Sequence, residues 1–499
     1  MKKIWFIFLL SGILSPLIAQ DKNDYIWLLG GIPNIQSEKF GGSKIDFNLG
    51  SPNISFFEIP FEFLTISMIS NSEGVLQFYT NGCEIANANH QIMANGEGLN
   101  PGIVHDLQCS YGYPRGQGAI SLPWPGQEGR YVILHTQFNQ DNSEIHDLRY
   151  TTINMDTLGG LGSVITKNQP LIVGEPLADM LTAVRHGNGR DWWIVLPRTS
   201  SNTHYLFLLT PQGFQGPYER NFGDEWDYRY FRGHAVFSPD GKKYIRANPT
   251  NGLRITDFDR CTGEFSNPIT IPLLEDSVEI CGVAVSPNSR RLYLATGFKL
   301  WQYDFETIDV AASAQLVGEF DGFQSPFNTT FFQPMLAPDG KIYMTCTNGN
   351  DVLHVIHNPD AGGLACEFQQ HGISIPTYHA FMAPNFPHFR LYDVPGSICD
   401  SLGIDAPIVG AEEPRLNKKP GMTLQPNPAS DEVLISLPEP MSGQWDLINA
   451  TGHIVLSGKW QEAELSMTLE TSSLPTGIYF YCFRPQQGAS VVQKLVISR

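Results

Sequence analysis

A short reversal followed by an apolar strand recurs along the middle of this chain, and that recurrence limits what it can fold into. Ser238-Pro239-Asp240-Gly241 precedes Tyr244-Ile245-Arg246-Ala247, Ser286-Pro287-Asn288-Ser289 precedes Leu292-Tyr293-Leu294-Ala295, and Ala337-Pro338-Asp339-Gly340 precedes Ile342-Tyr343-Met344-Thr345. The three prolines stand 48 and 51 residues apart. Proline presets φ for the second turn position, and Asp-Gly tolerates the positive φ of a tight reversal. Each turn therefore joins two antiparallel strands. Weaker copies extend the beat upstream. Asn71-Ser72-Glu73-Gly74 precedes the apolar run 75–79, Gln127-Glu128-Gly129-Arg130 precedes 131–134, and Gly187-Asn188-Gly189-Arg190-Asp191 precedes 192–195.

A period near fifty residues marks a propeller, a solenoid or an array. Helical periodicity is nearly absent, so an all-β fold of the β-propeller type fits best. One unit displays its strand count. Val283-Ala284-Val285, Leu292-Tyr293-Leu294-Ala295, Leu300-Trp301-Gln302-Tyr303-Asp304 and Leu316-Val317-Gly318 make four strands, one blade. Six beats and a closing blade predict about seven four-stranded blades. The seventh is expected to be composite, with Tyr25-Ile26-Trp27-Leu28-Leu29 pairing to strands near Phe386 and Tyr392. A ring closed by both ends of the chain leaves no exposed edge. The units resemble the WD40-like and YVTN-type β-propellers of exported bacterial proteins over roughly residues 21 to 395. The resemblance rests on the Ser-Pro-Asp-Gly beat, on Trp301-Gln302-Tyr303-Asp304 and on His357-Asn358-Pro359-Asp360. Gly233-His234 is similar to the Gly-His of WD40 repeats, while no Trp-Asp dipeptide ends a blade.

The C-terminal stretch has a different grain. Residues 396–420 hold Pro407, Pro414 and Pro420 among charged side chains and read as a linker between a propeller over 20–395 and a module over 421–499. Short strands at Val433-Leu434-Ile435-Ser436-Leu437, Trp445-Asp446-Leu447-Ile448, His453-Ile454-Val455-Leu456, Ile478-Tyr479-Phe480-Tyr481 and Leu495-Val496-Ile497 predict a small Ig-like β-sandwich. Pro426-Asn427-Pro428-Ala429-Ser430, the Gly477-Ile478-Tyr479 strand and the basic end around Lys494 together resemble the type A C-terminal sorting domain of type IX secretion cargo. That resemblance implies that Pro426, Asn427, Pro428, Gly477, Tyr479 and Lys494 belong to an address. Its partner is the type IX secretion machinery, and its destination is the medium or the outer cell surface, by way of the periplasm.

Export is also written at the other end. Lys2 and Lys3 precede an apolar run over 4–18 that Ser11, Gly12, Ser15 and Pro16 interrupt, and Ala19 offers a cleavage point. This is the layout of a signal peptide over 1–19. It is too short and broken for a spanning helix of roughly 20 apolar residues. No integral membrane span is expected later in the chain. The net charge of -18, from 32 basic and 50 acidic side chains, excludes the basic footprint that nucleic acid needs.

Eight cysteines in an exported chain point to disulfides, and the absence of any CxxC argues against zinc clusters. Spacing does not set the connectivity. The nearest neighbours, Cys83–Cys109, Cys261–Cys281 and Cys346–Cys366, are the expected pairs, with Cys482 free in the tail.

Chemistry is less legible. The chain has no GxSxG elbow, HExxH helix, GxGxxG or P-loop. Asp257-Phe258-Asp259 lacks the spacing and late Glu of an EF-hand. His354 and His357 lie three apart on a strand and so face opposite sides. No catalytic residue, metal ligand or cofactor is predicted. The candidate binding residues are those expected at inner-strand starts around the channel mouth: Arg185, His186, Arg232, His234, Gln333, Tyr378 and His379. Their basic, polar and aromatic character suits an acidic glycan or a peptide carboxylate. Two functions remain open: a non-enzymatic ligand-, protein- or glycan-binding or scaffold propeller, and a metal-assisted lactonase-like hydrolase or lyase. The second needs carboxylates and amides converging on one axial cation.

Overall fold

Every one of the six beats becomes the turn between the first and second strands of a sheet. The second strands are Leu76–Thr80, Arg130–Phe138, Trp192–Pro197, Lys243–Asn248, Arg291–Ala295 and Ile342–Cys346. The computed structural model describes residues 21–31, 39–138, 144–226, 233–275, 278–379, 381–402, 422–437, 440–449, 453–461, 465–485 and 491–498. The expected signal peptide over 1–19, Arg232 and most of the expected linker lie outside them. The chain divides into two units, 1–407 and 408–499.

The first unit is a β-propeller of seven sheets, each an antiparallel meander in which successive strands are hydrogen-bonded neighbours. Five sheets have four strands, and the first two have three. The expectation of four strands throughout is corrected there. The first sheet begins with Ile26–Gly30 and Gly42–Asp46, and carries no copy of the Pro-Asp-Gly turn. It is also not composite. Ile26 to Gly30 pair with Asp46 to Gly42, a local partner.

Ring closure comes from side-by-side sheets instead. The outermost strand of the last sheet, Phe368–His379, meets the first sheet through Ser43 Oγ and Thr377 Oγ1 at 2.8 Å, and Tyr378 N donates to Lys39 O. Trp27 of the first sheet packs edge-on against Tyr343 of the last. Between sheets lie dry clusters such as Ile120, Val132, Ile194 and Phe207, all nearly without solvent contact. Burial of this kind is the main stabilising term, about 25 cal/mol per Å² of apolar surface.

Strand direction gives the ring two faces. In the six sheets that carry the beat, the inner strand begins at an entrance face and ends at an exit face, where the six turns lie, whereas Ile26–Gly30 of the first sheet starts at the exit, where Asn23 Nδ2 donates to Ser70 O. This direction also decides the disulfides. Cys83 and Cys109 both stand on the entrance side and form the expected bridge. Cys261 bridges Cys399, not Cys281, and Cys346 and Cys366 are free. Cys261 sits in a third-to-fourth-strand turn at the exit, whereas Cys281 precedes the inner strand Gly282–Val285 at the entrance. Cys346 ends a second strand at the entrance, and Cys366 lies in the exit-side turn Gly363–Cys366. Short sequence separation put each rejected pair at opposite ends of a blade. Cys482 is free, as expected. The Cys261–Cys399 bridge fastens the first part of the expected linker to the propeller.

The second unit has two antiparallel sheets. One holds Thr423–Gln425, Glu432–Ser436 and Ser466–Glu470; the other holds Ile454–Trp460, Gly443–Asn449, Gly477–Pro485 and Val491–Ile497. Val433, Ile435, Leu447, Tyr481, Phe483 and Leu495 fill the space between them. All five strands expected here form.

Candidate ligand-binding site

Among the described residues the ring leaves no open channel, because residues 381–393 fill it. Residues 381–393 leave the last sheet and run through the interior from entrance to exit. Pro384 and Pro387 remove two backbone donors, so the stretch expected as a strand at Phe386 and Tyr392 forms none. Side chains make the hydrogen bonds instead. Asn385 Nδ2 donates to Ala119 O and Leu181 O, both at 2.9 Å, so one amide holds two neighbouring blades. Ala383 N donates to Gln333 Oε1 at 2.9 Å, and His388 Nε2 lies 3.0 Å from Phe237 O. At the exit Arg390 forms a bidentate pair with Asp24, at 2.5 and 2.7 Å. Beyond it Arg260 donates to Tyr392 O, Val394 N donates to Gly187 O, and the Cys261–Cys399 bridge follows. Only about 50 Å³ stays empty on the axis, between Gln117, His234, Asn385 and His388. That is room for a water or so, not for a substrate.

The predicted channel-mouth residues therefore do not converge. His234 starts an inner strand at the entrance, where its Nδ1 lies 3.0 Å from Val283 O, and burial lowers its pKa to about 4. Gln333 is buried on the plug. Arg185 ends its inner strand, Thr182–Arg185, and so stands with His186 at the opposite, exit face. Arg185 bonds Asp21 at 2.9 Å, Gly189 O and Phe389 O, and lies over the Trp192 ring. Burial pushes its pKa down, and Asp21 opposes that shift. His186 is tied by its ring nitrogens to Cys261 O and Asn188 N. Tyr378 and His379 end the outermost strand of the last sheet, not an inner one, and His379 Nε2 lies 3.2 Å from Val352 O. Strand direction, invisible in a list of polar residues, separates the set.

Open space lies on the exit face, in two clefts that divide the six turns between them. The three proline turns border the smaller cleft of about 370 Å³, with His388 and Arg390 at its floor. Their polar groups are consumed locally. Ser238 Oγ and Lys242 N donate to Asp240 Oδ1, Ser286 Oγ donates to Asn288 Oδ1, and Tyr343 Oη donates to Asp339 Oδ2. Ser289 even adopts the left-handed conformation, φ 61°, that glycine takes in its sister turns, and its Oγ accepts from Asp240 N.

The three weaker turns border the larger cleft, of about 690 Å³, a volume typical of small-ligand sites. Here the turn-forming bonds come from Asn71 and Asn188, whose side chains accept from Glu73 N and Val75 N, and from Arg190 N and Asp191 N. That leaves the other side chains free to face the cleft. Glu73, Glu128 and Asp156 are exposed carboxylates whose side chains have no hydrogen bond or ion pair to the described residues, and Arg130 is a half-buried cation that also has none. Asp156 rests on Gly129, where an added Cβ would lie 2.5 Å from its Oδ1. Burial, reinforced by Glu128 and Asp156, pushes the Tyr131 hydroxyl up to about 12. Arg190 is neutralised by Asp191 at 2.7 Å. Trp124, half-buried, has its ring edge fixed by Pro211 O and Phe214. The sequence did hold a signal for this site: Glu73, Glu128 and Arg130 are among the places where the beat departs from Ser-Pro-Asp-Gly. Among the described residues, no three His, Cys, Asp or Glu side chains are grouped to hold a metal ion.

In the second unit the motif residues do meet. Asn427 Nδ2 donates to Lys494 O at 2.7 Å, and Val496 N donates to Asn427 Oδ1 at 2.9 Å, clamping the final strand. Ala429 continues the pairing with Val496 and Ser498. Gly477 and Tyr479 pair with Ile497 and Leu495 on that strand's other side, and Tyr479 Oη donates to Pro475 O at 2.8 Å. Lys494 is exposed. Residues 423–498 match the family described as the secretion system C-terminal sorting domain. The chain carries a sorting domain of that family. It indicates secretion or surface export by the type IX system and implies contact with that machinery. No helix among the described residues is long and apolar enough to cross a membrane.

Solved structures similar to the chain include a protein from Lactobacillus plantarum, 12% identical, with a TM-score of 0.45, covering 72% of this chain and 98% of that one. A protein of unknown function from Desulfotomaculum acetoxidans is 14% identical with a TM-score of 0.40, covering 72% and 99%. A gluconolactonase from Xanthomonas campestris is 10% identical with a TM-score of 0.31, covering 66% and 94%. Comparison with curated proteins finds no match.

Proposed function

We propose that this is an exported binding or scaffold propeller without catalytic activity, displayed on the outer cell surface or released. A signal peptide over 1–19 takes the chain to the periplasm. The module over 421–499 then addresses the propeller over 20–395, through the linker 396–420, to the type IX machinery. The observation that carries the binding reading is the large exit-face cleft with unpaired charged side chains, beside a channel that the chain itself fills. A propeller enzyme with an axial cation needs a reachable axis and converging carboxylates. The lactonase-like alternative finds neither support among the described residues. Screening the exported protein against glycan arrays and extracellular extracts is expected to return a ligand that is bound and recovered unchanged. Turnover of a bound ligand would overturn the reading. Deleting 421–499 is expected to strand a folded propeller in the periplasm; normal surface display of that truncation would refute the address.

A further inference from the structure

The larger exit-face cleft carries more information than its volume. Four charged side chains line it without partners among the described residues: Glu73, Glu128 and Asp156 of one sign and Arg130 of the other. The other cations of the wall are already neutralised, Arg185 by Asp21 and Arg190 by Asp191. The cleft thus offers three carboxylates and one guanidinium to a visitor. A whole-chain charge of -18 favours the approach of cations to it. The walls also hold an apolar ledge at Pro123, Trp124 and Pro125.

We propose that this cleft binds a peptide segment that bears ammonium groups together with a carboxylate. Lysine side chains face Glu73, Glu128 and Asp156, the carboxylate faces Arg130, and the apolar stems lie along the Trp124 ledge. An amino-sugar oligomer supplies the ammonium groups but no carboxylate, so it leaves Arg130 without a partner. A neutral glycan leaves all four charges unanswered. The inference rests on the binding reading above and sharpens it to one ligand class.

The test uses the full chain exported by its own route and a peptide, Lys-Gly-Lys-Gly-Lys, labelled at its N-terminus with an uncharged fluorophore and ending in a free C-terminal carboxylate. Fluorescence anisotropy at low salt is expected to show saturable binding that weakens as salt rises. The triple variant Glu73→Gln, Glu128→Gln, Asp156→Asn is expected to weaken it about tenfold, the sum of three exposed charge pairs. A control triple, Glu58→Gln, Glu319→Gln, Glu367→Gln, removes the same charge elsewhere and is expected to change binding less than about twofold. Amidating the peptide terminus is expected to weaken binding to the parent chain and to leave Arg130→Gln unaffected. Equal losses in the two triples would show a diffuse field and overturn the site. Tighter binding of a glucosamine pentamer than of the peptide would overturn the ligand class. If arrays return a neutral glycan whose binding the cleft triple does not alter, this inference fails while the binding reading stands. Turnover of a ligand fails the binding reading first.

Discussion

The two halves of the exit face are built from the same turn and differ in what the turn does with its polar atoms. In the proline half, Asp240, Asn288 and Asp339 each commit a side-chain oxygen to their own turn. In the charged half, Asn71 and Asn188 do that work, and Glu73, Glu128, Arg130 and Asp156 have no side-chain partner among the described residues. A polar residue that satisfies its own backbone is explained by the fold. A polar residue that adds nothing to the fold is where a ligand has room to act. In a repeat, departures from the best copies are therefore more informative than the copies.

The sharpest way to break this contrast is at the plug. Asp24→Ala leaves Arg390 inside the ring without its carboxylate, and loss of a buried partner costs about 3 kcal/mol. Chemical denaturation of the propeller is expected to show that loss, with no change in its cleft ligand. Next comes the turn itself. Gly241 sits at φ 70°, and a Cβ there would lie 2.6 Å from Arg260 Cδ. Gly241→Ala is expected to cost about 1–3 kcal/mol in the same assay.

Acid probes the filled axis more gently, from His388 under the proline half to His234 at the entrance. Burial, then Arg390, lowers His388 to about 4, and burial lowers His234 to about 4. Unfolded histidine titrates near 6.5, so the unfolded state binds more protons below that pH. The stability from neutral His388 and His234 is full above about 6.5 and is lost as pH falls toward about 4. Denaturation midpoints are expected to drop across that window, and His388→Asn is expected to remove about one proton from the slope. The smallest effect belongs to the charged half. Glu73→Gln, Glu128→Gln and Asp156→Asn are each expected to shift stability by no more than about 0.5 kcal/mol. A loss of 2 kcal/mol or more at any of them would mean that the cleft side chains are structural, and the contrast would fail.

Reading the chain without its structure located every second strand of six sheets, since a turn and an apolar run are local. The strand at 25–29 was also legible, but its partner is Gly42–Asp46 and not the segment near Phe386. The same reading took Phe386 and Tyr392 for strand, although Pro384 and Pro387 argued for a segment whose backbone bonds lie elsewhere. The tail was more legible. Asn427 and Lys494 are far apart in sequence, but each sits in a compact motif, and the motifs are physically joined.

The sequence by itself determined the repeat, the all-β class, the tail and its address, because these depend on residues within a turn or a strand of one another. Only the tertiary structure decided which cysteines bridge, which candidate residues share a face and that the axis is filled. Those outcomes depend on strand direction around a ring and on where the last segment returns. A polar residue at the start of an inner strand and one at its end look alike in sequence, and the fold sets them on opposite faces.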